Sequence, residues 1–230
     1  MYLWKCWRDT RGFFFIFLII ASAIMPVAAA VTEGTHLMAD PGTIALSTML
    51  PTMLLILNGA ALGLGAIGAI HEFSENTAHF LFTKPRSRAY FVWIGWAVGG
   101  VELLVVGLVN LSVGWLTLSH YSQHPHSQLF GPLKAQRFVD VFVYCFLVYS
   151  LTYAFTAVLR NGLKGLGASM GIMFGIPGIA AAIRVRWKFK VPVPVELIGS
   201  LPMAVSILVW ISIGLLLVLA AQLVIERAEI

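Results

Sequence analysis

Six apolar stretches alternate with short polar segments along the chain. They are approximately residues 13–31, 48–70, 90–118, 138–159, 163–183 and 201–225. A helix needs about 20 mostly apolar residues to cross about 30 Å of hydrocarbon, and each stretch is close to or above that length. The pattern therefore predicts an all-α integral membrane protein with six transmembrane helices. We expect one domain over residues 1–230, with both termini on the same side of the membrane.

The composition agrees with burial in lipid. Hydrophobic residues make up 59% of the chain, charged residues only 11%, and the mean hydropathy is +0.89. The net charge of +5 comes mostly from basic residues just outside the apolar stretches, where they meet lipid headgroups, so we expect no nucleic-acid partner. Two isolated cysteines, Cys6 and Cys145, indicate neither a disulfide framework nor a thiol metal site.

The basic residues also predict an orientation. More of them fall on the N-terminal side of the bundle than on the opposite side, which favours a cytosolic N-terminus in the cell membrane. On the N-terminal side are Lys5, Arg8, Arg11, Lys84, Arg86, Arg88, Arg160, Lys164 and Arg227; opposite are Lys134, Arg137, Arg184, Arg186, Lys188 and Lys190. The first stretch and its small residues at 26–30 resemble a secretory signal, but we expect an uncleaved first span.

The segment 183–194 is the exception to this charge pattern. Basic and apolar residues alternate up to Val191, which in an extended chain places all four charges on one face. This predicts an amphipathic strand or interfacial strip, forming an external basic rim, although a solvated run of charges fits equally well. A re-entrant 163–183 would instead leave this cluster inside and the C-terminus outside. The rim residues are Arg184, Arg186, Lys188 and Lys190.

Small residues at four-residue spacing mark helix contacts, because helices in lipid associate through close packing. The sets are Gly59 with Gly63, Gly95 with Gly99, and Gly167, Gly171 with Gly175. For the last set we expect ordinary packing within the chain, with a sliding or dimer surface as the alternative.

Two polar segments are predicted to be short helices. Residues 1–11 carry two tryptophans three positions apart beside three basic residues, which suits an N-terminal amphipathic helix in the interface; the alternative is the charged flank of the first span. Residues 71–89 place polar side chains such as Glu72 and Glu75 opposite an apolar face that recurs at helical spacing. Pro85 ends that second helix, and a solvated loop is its alternative.

The order of residues in 71–89 resembles the cytosolic loop of type-2 ABC transporter permeases. An acidic pair is followed by Thr77, an apolar stretch through Phe82, and the turn Pro85-Arg86-Ser87-Arg88. Six spans and an N-terminal interfacial helix fit the same family. The resemblance covers the whole chain in layout and about 17 residues in motif.

The resemblance implies a coupling helix that sits in a groove of a separate ATP-binding subunit, with two permease copies and two ATPases in the working unit. The residues it implies for coupling are Glu72, Glu75, Thr77, Pro85 and Arg86. The chain has no Gly-x-x-x-x-Gly-Lys-Ser/Thr loop, so it is not expected to be an enzyme, and ATP and Mg²⁺ are expected in the partner. The resemblance also implies export, and the apolar faces favour a peptide, lipid-like molecule or hydrophobic drug.

Glu102 is the one carboxylate in the middle of an apolar stretch. A charge there costs on the order of 3 kcal/mol and usually faces protein or water. Glu102 could bind a cationic part of a substrate, sense protons, or pair structurally with Asn58 or Asn110. Together these three residues form the candidate substrate path.

Two other classes of function remain open. A secondary transporter could be built around Glu102, although no pair of matching halves is evident. A membrane metal hydrolase could use His71, Glu75 and His79, which are spaced four apart on one helix face but do not form a His-Glu-x-x-His motif. No resident metal or cofactor is expected. Metal capture by His120, His124 and His126 of the external loop is possible, but we expect these histidines to be solvated.

Overall fold

The computed structural model describes residues 2–33, 41–73, 88–121, 132–187 and 203–227. Within those ranges every regular element is an α-helix, and none is a strand. The helices are α1 (Tyr2–Glu33), α2 (Pro41–Phe73), α3 (Arg88–Tyr121), α4 (Pro132–Leu159), α5 (Gly162–Trp187) and α6 (Met203–Arg227). Each contains or nearly contains one predicted stretch and extends past it by at least two residues at one or both ends, since a helix can continue into polar residues that hydropathy alone leaves out. The all-α prediction is confirmed for these residues.

Four of these helices are long and apolar enough to cross a membrane. Their apolar windows are Pro51–Ile70, Ala89–Thr117, Val139–Leu159 and Ile207–Arg227. Each window has about 20 residues or more, the length that spans the hydrocarbon of a bilayer. The chain therefore has the character of a multi-pass membrane protein.

Helices α2 and α4 form the centre of the bundle. Helix α2 packs along α4 and also contacts α1 and α3, while α4 contacts α5 and α6 on its other side. Leu57, Leu64 and Tyr149 are fully buried where these helices meet. The outer face of α6, by contrast, exposes large apolar side chains such as Leu208 and Leu216. An apolar outer surface is what a lipid solvent requires, because lipid-facing residues gain nothing from being polar.

Two of the predicted glycine pairs are helix contacts. A methyl group at Gly59 or Gly63 would collide with the rings of Phe17 and Phe13 of α1. At Gly99 it would lie 2.5 Å from the Tyr149 hydroxyl oxygen. Without side chains at these positions, the backbones can approach closely enough for the aromatic rings of neighbouring helices to lie against them.

The third glycine set does not pack within the described chain. A methyl group at Gly167, Gly171 or Gly175 would have no described neighbour within 4 Å. Ordinary packing within the chain was the expected role, and it is not what the described residues show. This face of α5 is open with respect to the described residues.

A tight turn separates α4 from α5. Arg160 adopts a left-handed backbone conformation with φ of 50°, which ends α4. Asn161 then begins α5: its side-chain oxygen accepts a hydrogen bond from the Lys164 amide at 3.2 Å, and its carbonyl accepts one from the Gly165 amide at 2.9 Å. This turn lies between the predicted stretches 138–159 and 163–183.

Two predictions about local structure were wrong. Residues from Tyr2 onward belong to one continuous helix, α1, so the segment 1–11 is not a separate interfacial helix, and the alternative of a charged flank fits better. Residues 183–187, expected to be extended, form the last turn of α5. Extending an existing helix adds a hydrogen bond per residue, whereas an isolated strand has no partner. The helical conformation is therefore the more stable one for 183–187, despite the alternating pattern.

Candidate functional site

Glu102 is buried between α1 and α3. Its side chain is on the inner face of α3, and the residue is only 4% exposed. Its Oε1 atom accepts a hydrogen bond of 2.7 Å from the hydroxyl of Thr10, 92 positions away in the chain. Glu102 thus faces protein, and its partner is a residue of the N-terminal charged segment.

The Thr10 hydroxyl can form a hydrogen bond with Glu102 whether the carboxyl group is ionised or protonated. Its hydroxyl oxygen is also 3.1 Å from the carbonyl oxygen of Cys6, one turn earlier in α1. A hydroxyl has one proton to donate and can accept as well. With an ionised Glu102, the hydroxyl donates to the carboxylate. With a protonated Glu102, it can accept from the carboxyl and donate to the Cys6 carbonyl instead.

The second carboxyl oxygen of Glu102 has no such partner. Oε2 is buried and makes no hydrogen bond with any described residue. Leaving a polar group buried and unpaired costs about 1–3 kcal/mol, and more for a charged group. An ionisable residue held this way inside a membrane bundle is by default a candidate functional residue.

The Thr10 contact also places Glu102 relative to the charges of α1. Glu102 is 14 residues beyond Arg88, about 21 Å along α3. Thr10 lies only eight residues beyond Tyr2, and its two neighbours in the chain, Asp9 and Arg11, are both charged. Asp9 pairs with Arg8 at 3.5 Å. Counting along α3 alone would put Glu102 near the middle of the bilayer. The contact shows that the charged first turns of α1 lie level with Glu102.

An apolar groove opens beside this carboxyl group. It has a volume of about 330 Å³ and lies between α1 and α3. Glu102 is the only acidic residue among its lining side chains, which are otherwise apolar or aromatic. They are Leu3, Trp7 and Phe14 of α1 with Ile94, Ala97, Val98, Val101, Glu102 and Val105 of α3. Because Ala97 and Val101 are exposed, the groove faces the surroundings of the bundle rather than its core.

The two asparagines of the predicted substrate path do not join this site. Asn110 is fully buried, and neither its side-chain oxygen nor its nitrogen has a hydrogen-bond partner among the described residues. It therefore does not pair with Glu102, contrary to one of the expectations. Asn58 is half-buried on α2.

Polar side chains join the first three turns of α3 to the neighbouring helices. The Trp93 indole donates to Gln222 of α6 at 2.7 Å, and the Trp96 indole donates to Ser150 of α4 at 3.1 Å. From α4, the Tyr153 hydroxyl donates to the Val92 carbonyl at 2.8 Å. Tyr149 donates in the same way to the Trp96 carbonyl. Sequence spacing gave no sign of these bonds, which connect the start of α3 to α4 and α6.

Most of the predicted coupling and rim residues lie outside the described residues. These are Glu75, Thr77, Pro85 and Arg86 of the coupling segment and Lys188 and Lys190 of the basic rim. The backbone at Glu72, Arg184 and Arg186 is helical, but their side chains are likewise outside what is described.

The side chains of the possible metal ligands His71, Glu75 and His79 also lie outside what is described. Among the described side chains, no group of three His, Cys, Asp or Glu residues could hold a metal ion.

No protein-family model matches the sequence, and no curated protein matches it. The resemblance to type-2 ABC permeases therefore depends on the residues and layout given above.

Proposed function

We propose that this chain is the membrane-spanning subunit of an ATP-driven ABC exporter that works with a separate ATP-binding subunit. It would span the cell membrane six times, with both termini in the cytosol. The observation that carries the proposal is the set of hydrogen bonds that joins the start of α3 to α4 and α6. The proposed coupling segment, residues 71–89, overlaps the start of this helix, and the first turns of the helix are bonded to α4 and α6. A force applied to that segment would move three helices together.

The same helix connects the coupling segment to the candidate site. Glu102 follows Trp96 by six residues, about 9 Å along α3. Because Glu102 is bonded to Thr10, a shift of α3 relative to α1 would change the environment of the carboxyl group and the width of the groove. Closure of the ATPases could in this way act on a substrate between α1 and α3.

A second copy of the permease is part of the proposal. The open face of α5 carries three glycines at four-residue spacing and exposes Leu163 and Phe174, which are 85% and 72% exposed. Small residues with adjacent apolar side chains suit close packing of two helices in lipid. We propose this face as the contact between the two copies.

The substrate class follows from the lining of the groove. Its walls are apolar, so an amphipathic or hydrophobic molecule, such as a peptide, lipid-like molecule or drug, fits better than a sugar or simple ion. ATP and Mg²⁺ would be bound by the partner subunit.

Affinity purification of the chain from its native membrane in mild detergent tests this proposal. We expect a stoichiometric ATPase to accompany the wild type and to be lost from the double variant Glu72→Ala, Glu75→Ala. The matched control is Glu33→Ala, Asp40→Ala, which removes two carboxylates from the segment predicted to be external and should retain the ATPase. A chain that purifies without an ATPase would overturn the proposal.

A secondary transporter is the second candidate, and one observation favours it. Thr10 offers Glu102 a hydrogen bond in both protonation states, and Oε2 is unpaired, as a proton-binding site would require. Dependence of transport on a proton gradient in the absence of ATP would select this candidate.

A further inference from the structure

We propose that the groove between α1 and α3 binds a lipophilic amine, with the amine on Glu102 and the apolar body along the walls of the groove. This deepens the proposed function, on which it depends for treating the amine as a substrate. Binding itself requires no ATPase, so it can be tested on this chain alone.

The carboxyl group selects the head of the ligand. One oxygen of Glu102 is occupied by Thr10, and the other accepts no hydrogen bond from the described residues. An ammonium group carries both a positive charge and N–H donors, so it would satisfy the charge and the free oxygen together. A neutral chain would fill the groove but leave that oxygen unpaired. An anion would be repelled by an ionised carboxylate.

The walls select the body of the ligand. Val98 and Val101 of α3 face Trp7 and Phe14 of α1 across a space of about 330 Å³. Ligand pockets range from roughly 300 to 1,000 Å³, so this groove is at the small end and suits one chain or one ring system rather than a two-chain lipid. Aromatic rings can also attract an ammonium group through their π faces.

Two arginines near the groove already contact other side chains. Arg8 pairs with Asp9, and the Arg11 guanidinium lies 5.9 Å from the centre of the Trp7 ring. Neither makes a hydrogen bond to Glu102 Oε2. Oε2 is thus buried without a hydrogen-bond partner among the described residues, and an ammonium group that entered the groove would supply one.

Photolabelling in phosphatidylcholine nanodiscs tests the proposal, because the quaternary ammonium of that lipid cannot donate a hydrogen bond. The probes are dodecylamine and dodecanol, each with a diazirine on the chain. We expect the amine to label peptides 3–14 and 94–105 saturably, with an apparent affinity about tenfold tighter than that of the alcohol.

Two variants distinguish the contribution of the carboxyl group to binding from that of the groove walls. Glu102→Gln keeps the shape of the side chain and should weaken amine binding about tenfold while leaving the alcohol unchanged. Val101→Trp should fill the groove from a position that is 61% exposed, and abolish labelling by both probes. Asp140→Asn, on α4 and outside the groove lining, is the matched control and should change neither.

Equal affinity of the two probes for the wild type would overturn the proposal. So would an unchanged amine affinity in Glu102→Gln, or labelling that persists at both peptides in Val101→Trp. Failure of the proposed function is a separate result. A chain that binds the amine but purifies without an ATPase would support the amine site and contradict the exporter proposal.

Discussion

The hydrogen bond between Thr10 and Glu102 should appear as a coupling free energy between α1 and α3. Thr10→Val replaces the hydroxyl with a methyl group of the same shape and leaves both carboxyl oxygens buried without a described partner. We expect the free energy of unfolding to fall by about 1–2 kcal/mol, the cost of an unsatisfied buried group. Glu102→Leu removes the polar group altogether and should be near neutral or stabilising.

The double variant gives the magnitude of the bond itself. Without Glu102, the Thr10 hydroxyl can donate to the Cys6 carbonyl at 3.1 Å, so replacing it by valine should then cost little. The coupling energy of the cycle should be about 1 kcal/mol, within the range measured for hydrogen bonds between membrane helices.

Unfolding of the purified protein by SDS in mixed micelles measures these energies. Thr152→Val is the matched control, because this buried threonine donates only within its own helix, to the Val148 carbonyl at 2.8 Å. Its effect should add to that of Glu102→Leu. If the Thr10 cycle were additive as well, within about 0.3 kcal/mol, Thr10 and Glu102 would not be in contact and the site would be wrong.

The remaining predictions concern packing and topology. Gly99→Ala should lower the free energy of unfolding by about 1–3 kcal/mol, since the new methyl group would lie 2.5 Å from the Tyr149 hydroxyl oxygen. Gly167→Ala, whose methyl group would have no described neighbour within the chain, should be neutral or stabilising by up to about 1 kcal/mol for the single chain in the same SDS titration. Trp93→Phe should cost about 0.5–1.5 kcal/mol through loss of the bond to Gln222, and much less in a Gln222→Leu background. Reporter fusions should place both termini in the cytosol and the first loop outside; an external C-terminus would contradict six spans.

The helices were predictable because apolar stretches long enough to cross a membrane usually form α-helices. Backbone groups in lipid must be satisfied within the segment, so a run such as 48–70 is a helix almost regardless of its detailed sequence. The two glycine pairs at 59–63 and 95–99 were predictable for a similar reason. A missing side chain at four-residue spacing leaves a flat strip that a neighbouring helix can cover.

The hydrogen bonds between helices were not predictable from spacing. Thr10 lies in a segment whose tryptophans and basic residues indicated an interfacial helix, and nothing in the sequence links it to a carboxylate 92 positions later. The bonds from Tyr149 and Tyr153 to carbonyls of α3 are equally invisible, because a backbone acceptor has no sequence signature. A buried carboxylate in an apolar stretch does show that some partner must exist.

The most direct test of the account is transport of the labelled dodecylamine into inverted vesicles of the native membrane. We expect accumulation on addition of ATP that persists when a protonophore collapses the proton gradient, and that is lost in Glu72→Ala, Glu75→Ala. Accumulation that requires the proton gradient and proceeds without ATP would contradict the ATP-driven exporter and assign Glu102 to a proton-coupled transporter.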